Sequence, residues 1–317
     1  MTNIMAYVKN GIPLYNEPQQ ELPGFEKQKS ITDQYVGVVV ADGLASGNGE
    51  QTGGHQKVFP VGKNFILGTG GGDFIDHVAS KIQGNEGYLP PEKLGEKILR
   101  ICDEDFRFSA GEQLNFIVAG PKSPDSKELQ VYRLRTQRIR HPELVKGGFA
   151  IDGSGAQFVG NALTRDSQQG LSVNTQFLSI ADIAITLYDH GIVATRSSGV
   201  NDELQYGFLV NGKTATLIHP RITLSQAPKE YQGEHGEIDM TKVEENKKFY
   251  QNFDGTLRKA AELERAVKNI TANLIKGHPG LTPENAYEMI EERRIQLQGL
   301  ERQLNNMIVD YVEHHNP

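Results

Sequence analysis

Residues 64–82 read "NFILGTGGGDFIDHVASKI", an apolar strand, a run of glycines, then a segment with Phe74, Val78 and Ile82 four apart, the spacing of one helix face. A strand, glycines and a helix in that order open many nucleotide-binding α/β folds. Two residues argue against that here. A P-loop needs Lys and then Ser or Thr after its glycines, and Asp73-Phe74 stands there; a dinucleotide fingerprint needs a third glycine where Asp73 falls, with a parallel βαβ unit to follow. What remains at Gly70 is a turn whose N–H groups stabilise an oxyanion, or a tight corner. The residues alone leave both open.

The flanking order supports an antiparallel body. Upstream, "KVFPVG" pairs with the quoted strand as a hairpin turned at Gly62-Lys63-Asn64, and residues 3–9 and 35–41 are strands rich in Val, Ile and Tyr. Between those two, residues 11–34 hold three prolines and form a long excursion. Downstream, "PPEKLGEKILRICDEDF" starts a second helix at prolines. "LNFIVAG" and "ELQVYRLR" are strands around the turn "PKSPDSK". "GGFAID" leads through "GSG" into a helix at "AQFVGNAL", where Ser154 reads as its N-cap. "SIADIAITLYDHGIVAT" is a helix with Ser179 as N-cap, and "YGFLV", "NG", "TATLI" form the last hairpin. Strands, two helices, strands, two helices, strands predict a layered α+β body rather than a doubly wound sheet.

From about residue 240 the chain becomes long, charged and helical. Ile290, Leu297, Leu304 and Tyr311 recur every seven residues, with Leu300 and Met307 between them. Gly277 ends one helix, and Thr282 with Pro283 starts the next. The prediction is a helical hairpin whose one apolar face closes on the main body or, as the alternative, on a neighbouring subunit.

Bulk properties narrow the function. The chain has 317 residues with 40 acidic and 33 basic side chains, a formal net charge of −7 that argues against nucleic acid as a partner. Cys102 is the single cysteine, on a helical pattern, and reads as a packed core thiol in a reducing cytoplasm. No apolar run approaches the roughly 20 residues of a membrane span, and "MTNIMAYVKNG" lacks the features of a signal peptide. The expected location is cytoplasmic. Nine histidines show no paired metal-ligand spacing, His55 and His219 read as structural or exposed, and no GxSxG elbow is present. Asp42, after a strand, and Lys57, before another, are ordinarily two unrelated surface charges. Thr2 is either a small residue that lets Met1 be trimmed or, once Met1 is gone, a residue with a free hydroxyl and a free α-amine.

Five stretches in order, "TNIMAYVKNG", "GVVVADGLASGNG", "QKVFPVGKNFILGTGGG", "FAIDGSGAQFVGNAL" and "SIADIAITLYDHGI", resemble the proteasome β-type peptidases, the bacterial HslV type most closely. The resemblance runs from Thr2 to about His219, roughly two thirds of the chain. It implies the four-layer αββα sandwich of the N-terminal-nucleophile hydrolases over residues 1–225, with 11–34 as an insertion between the first two strands. Residues 226–317 are then an added C-terminal helical extension.

It also implies roles. Thr2 would be the nucleophile, Asp42 and Lys57 the charged pair beside it, Gly70 the oxyanion-hole glycine, and Ser154 and Ser198 the supporting serines. Thr195 stands where active members often carry Asp, and Met1 must be removed for the α-amine to act. The implied activity is threonine-type endopeptidase action on unfolded polypeptides inside a homo-oligomeric ring or stacked assembly fed by an ATPase unfoldase, with no metal or organic cofactor. Two other readings stay beside it: a catalytically inactive ring-forming subunit of the same fold, and an amidohydrolase of small amides.

Overall fold

The structure is a computed structural model that describes residues 3–10, 35–47, 50–52, 54–83, 88–105, 114–136, 141–168, 179–197, 200–225 and 227–316. Its strands are β1 (Asn3–Lys9), β2 (Val36–Ala41), β3 (Ala45–Gly47), β4 (Glu50–Thr52), β5 (Val58–Val61), β6 (Asn64–Thr69), β7 (Asn115–Pro121), β8 (Leu129–Arg135), β9 (Glu143–Leu144), β10 (Phe149–Gly153), β11 (Gln205–Val210) and β12 (Lys213–Leu217). The helices are α1 (Gly72–Gln83), α2 (Pro91–Asp105), α3 (Ala156–Gln168), α4 (Ile180–Ala194), α5 (Met240–Ile275) and α6 (Pro283–His314).

The protein is a mixed α+β fold with two antiparallel five-stranded sheets, in the orders β10-β1-β2-β11-β12 and β5-β6-β7-β8-β9. Successive side chains on a strand point to opposite faces, so an uninterrupted apolar strand means both faces are covered. β2, "VGVVVA", shows this: Val36, Val38 and Val40 join one core with α4, α5 and α6, while Val39 and Ala41 join another. That second core lies between the sheets, where Ile4, Ala6 and Val8 of β1 meet Phe65 and Leu67 of β6 and Ile117 and Ala119 of β7. The outer face of the second sheet carries a third core, in which Ile66, Phe116 and Val118 pack on α1 and α2. Cys102 is buried there, and desolvation pushes its thiol up to about 12, so it serves as a small apolar group. Where the sheets approach most closely Gly207 is required, since a Cβ there would lie 2.7 Å from the Phe65 ring.

Local chemistry agrees with the sequence at several ends. Asn211 and Gly212, at φ of 49° and 81°, make the β11–β12 turn. Thr282 accepts from Asn285 N at 3.2 Å, and Gly277 takes φ of 66° after α5. Ser179 caps α4 in a full capping box, its hydroxyl accepting from Asp182 N at 3.2 Å while the Asp182 carboxylate accepts from Ser179 N at 2.9 Å. Ser179→Ala should therefore cost about 1 kcal/mol, read from the urea unfolding midpoint.

Other ends differ. The β5–β6 turn is Gly62-Lys63, and Asn64 already pairs with Val61. Gly155, not Ser154, takes the cap position of α3, its carbonyl accepting from Phe158 N and Val159 N at 3.1 and 3.3 Å. β3 and β4 pair as a small antiparallel ribbon that is not among the strands expected from the sequence.

The C-terminal hairpin closes on its own chain. Phe253, Leu257, Leu304 and Ile308 are fully buried against the first sheet. The Phe253 ring meets Tyr206 edge-on at 5.3 Å and Phe208 at 5.6 Å. Toward the α5–α6 connection Ile275, Tyr287 and Ile295 are exposed, which is why the heptad pattern loses its buried partner there.

One ionisable group lies inside this interface. Glu230, in a short 3-10 turn (Lys229–Tyr231) before α5, is buried, and its Oε1 accepts from Thr216 N of β12 at 2.8 Å. Its Oε2 and the Thr216 hydroxyl have no partner among the described residues. Burial raises the Glu230 carboxyl from 4.5 to about 7. The folded state thus holds a proton that the unfolded state releases. The resulting stability is fully present below about pH 4.5 and is lost as pH rises to about 7, a change of about 3 kcal/mol. Urea unfolding at pH 5 and pH 8 should show that loss in the native chain, and Glu230→Gln should remove most of it.

Candidate functional site

Of the candidate residues, Asp42, Lys57, Gly70 and Ser154 lie at corresponding ends of the two sheets. Register places them there: Asn3 pairs with Gly153, Ile4 with Ala41, and Ala41 with Gln205, so the start of β1, the ends of β2 and β10 and the start of β11 are level. In the second sheet Val58 pairs with Leu67, which puts Lys57 before β5 and Gly70 after β6 at the end opposite the Gly62-Lys63 turn.

Asp42 and Lys57 form an ion pair, Nζ to Oδ1 at 3.2 Å, with both side chains essentially without solvent exposure. The reading of two unrelated surface charges is thereby excluded. Asp42 Oδ1 also accepts from Asn3 N at 3.0 Å, and Oδ2 from Asn201 N at 3.4 Å, while Asp42 N donates to Asn3 O at 3.2 Å. Lys57 Nζ further donates to Leu44 O. The carboxylate therefore holds the amide nitrogen that joins residue 2 to the first strand.

Burial acts against the pair's charges. It raises Asp42 and lowers Lys57, while each partner's opposite charge pulls the other back toward its ionised form and the Asn3 and Asn201 N–H groups do the same for Asp42 alone. A lysine so placed holds its proton less firmly than one in water.

Amide side chains that the sequence reading passed over build the frame. Gln205 Oε1 accepts from Lys57 N at 2.9 Å and Val58 N at 3.4 Å, and its Nε2 donates to His55 O at 2.7 Å, tying β11 of one sheet to the entry of β5 in the other. Asn201 Oδ1 accepts from Gly43 N at 3.0 Å. Asp152 receives Asn115 Nδ2 at 2.9 Å, Arg135 Nε at 3.1 Å and Gly153 N at 2.7 Å, which fixes the turn carrying Ser154. The only hint in the sequence was polar residues at strand ends, where the pattern is otherwise apolar.

Gly70 has φ of 126°, a conformation that side chains rarely adopt, and Gly71 O accepts from Phe74 N and Ile75 N to start α1. Ser154 is half-buried beside Gly155, at which a Cβ would come within 3.0 Å of Asn3 Cβ. Thr195, half-buried at the end of α4, donates its hydroxyl to Ile192 O at 2.7 Å and so closes the helix locally. Thr2 and Ser198 lie outside the described residues. Asp42 and the turn carrying Ser154 thus adjoin Asn3, Lys57 is paired with Asp42, and Gly70 lies at the end of the second sheet that Lys57 enters.

Among the described residues no three His, Cys, Asp or Glu side chains gather as a metal site, and no helix is long and apolar enough to cross a membrane. No family model matches the chain, and no curated protein matches it.

Proposed function

We propose that the protein is a threonine-type endopeptidase with the αββα sandwich of the N-terminal-nucleophile hydrolases, and that residue 2, freed of Met1, is its nucleophile. The observation that carries the reading is the buried Asp42–Lys57 pair whose carboxylate grips Asn3 N, one peptide bond from Thr2. A threonine hydroxyl needs a base close by, and a free α-amine, with a reference pKa of about 7.7–8.0, suits that task near neutrality. The Lys57 ammonium would lower the pKa of both groups by its field.

The Thr2 hydroxyl adds to a peptide carbonyl as its proton passes to the α-amine. The oxyanion meets Gly70 N–H, a contact of a kind worth roughly 3–4 kcal/mol in hydrolases. The C–N bond then breaks, the departing amine takes the proton with Ser154 and Ser198 supporting a bridging water, and water hydrolyses the ester left on Thr2. The substrates are unfolded polypeptides, and the working form is a homo-oligomer that encloses the site and receives chains from an ATPase unfoldase in the cytoplasm.

Mass spectrometry of the mature chain treated with a threonine-directed electrophile tests this. The expected product is one adduct on a chain beginning at Thr2. A retained or acetylated Met1, with no adduct, would leave the catalytically inactive ring subunit as the reading. An adduct on a monomer that hydrolyses small amides but not peptides would favour the amidohydrolase.

A further inference from the structure

We infer that the cleft formed by the Lys229–Tyr231 turn, the start of α5 and the end of α6 binds a small organic phosphate or carboxylate, its anionic head seated between Lys229, Lys242 and His315. The site is independent of Thr2.

The cleft has a volume of about 670 Å3, within the range of small-molecule pockets. Two ammonium groups from different elements enter it. Lys229 Nζ bonds Asn316 Oδ1 and Lys242 Nζ bonds Gln232 O, both neutral acceptors, and neither lysine has a carboxylate partner among the described residues. Lys229 acts on the buried Glu230 carboxyl, but both ammonium groups are hydrogen-bonded to neutral acceptors, and a bound anion gives each a charge-assisted hydrogen bond.

His315 supplies a third contact. Its Nδ1 lies 2.8 Å from Tyr311 O, and since a carbonyl only accepts, that nitrogen carries the proton. Nε2 is then the nitrogen left for a ligand. The ring is held over Tyr311 at 4.4 Å, and Tyr311 stacks on Phe249 at 4.4 Å, so an aromatic floor continues from the cationic end. Underneath, the Tyr311 hydroxyl lies within bonding reach of Thr216 O and Asn246 Oδ1, which makes the floor rigid.

The electrostatics are directional. Burial lowers the His315 pKa first, and the charges that bear on it are those of His314, Lys242 and Lys229, all of which lower it further, while the hydrogen bond to Tyr311 O raises it. Two carboxylates also line the cleft, Glu245 on α5 and Asp310 on α6. They disfavour a second anionic group at their end. One anionic head on an uncharged body therefore fits best. A bound anion opposes the cations around His315, so the imidazole takes up a proton on binding and affinity rises as pH falls through its titration.

Calorimetric titration of the whole protein with phenyl phosphate, benzoate and inorganic phosphate tests the site. Saturable binding of phenyl phosphate is expected, tighter at pH 6 than at pH 8 and weakened at least tenfold in the Lys229→Gln/Lys242→Gln variant. His315→Gln should flatten the pH dependence, and an unchanged unfolding midpoint shows that these changes leave the fold intact. Tighter binding of benzoate would assign the head as carboxylate and supports the site. Inorganic phosphate binding as well as phenyl phosphate, no saturable binding of any probe up to millimolar concentration, or an unchanged affinity in the double variant would overturn it.

Discussion

Thr2→Ala should reduce peptide-bond hydrolysis by on the order of 10³- to 10⁶-fold, as removal of a hydrolase nucleophile does, while the unfolding midpoint and the assembly state stay where they are. Alanine is small enough for Met1 still to be trimmed. The variant thus keeps the α-amine, the Asp42–Lys57 pair and the Asn3 amide held by Asp42, and loses the hydroxyl and the γ-methyl. Thr2→Ser restores hydroxyl and amine together and should recover measurable turnover, which separates a chemical role from a steric one. Turnover in Thr2→Ala equal to that of the native chain would sink the peptidase assignment, because no other part of the proposed mechanism supplies a nucleophile.

The layers were legible because burial on both faces leaves a mark on composition. "VGVVVA" has no polar residue since Val38 faces helices while Val39 faces the other sheet, and such a strand needs covering layers on each side. The capping residues Ser179 and Thr282 and the Asn211-Gly212 turn were legible for a different reason: each solves a local backbone problem that few residue types solve. Ser154 misled because a serine before a helix is a good cap only when its backbone is in the cap position, and here Gly155 is, pressed against Asn3.

The frame around the site was not legible. Gln205 and Asn201 act on backbone groups 148 and 158 residues away in sequence, Lys57 N and Gly43 N, and Asp152 on the Asn115 side-chain amide 37 residues away, and no periodicity reports such pairs. Glu230 is similar. A charged letter in a polar turn reads as solvated, and only the closing of α5 and α6 over β12 removes it from water.

Asp42→Ala should destabilise the fold by about 3–5 kcal/mol, the range for leaving one member of a buried ion pair alone. Lys57 is 1 % exposed, so without the carboxylate its ammonium loses its counter-charge in the interior, although it keeps the hydrogen bond to Leu44 O. Asn3 N and Asn201 N lose their acceptor in the same step. Asp42→Asn retains an oxygen for Asn3 N and should cost less than the alanine change. Lys57→Met probes the other side with a different pH signature. Burial already pushes the Asp42 carboxyl up, and removing the cation that opposes this pushes it further, so the group can be buried neutral at low pH. Because its folded pKa then stands above the unfolded value, stability of Lys57→Met is greatest in acid and falls as pH rises from the unfolded pKa toward the folded one. The Asp42→Asn/Lys57→Met double variant places no charge in the interior and should be more stable at pH 8 than Lys57→Met alone. Urea unfolding of the four variants at pH 5 and pH 8 measures all of this. A double variant whose losses simply add would mean the two groups do not interact, contrary to the 3.2 Å contact between them.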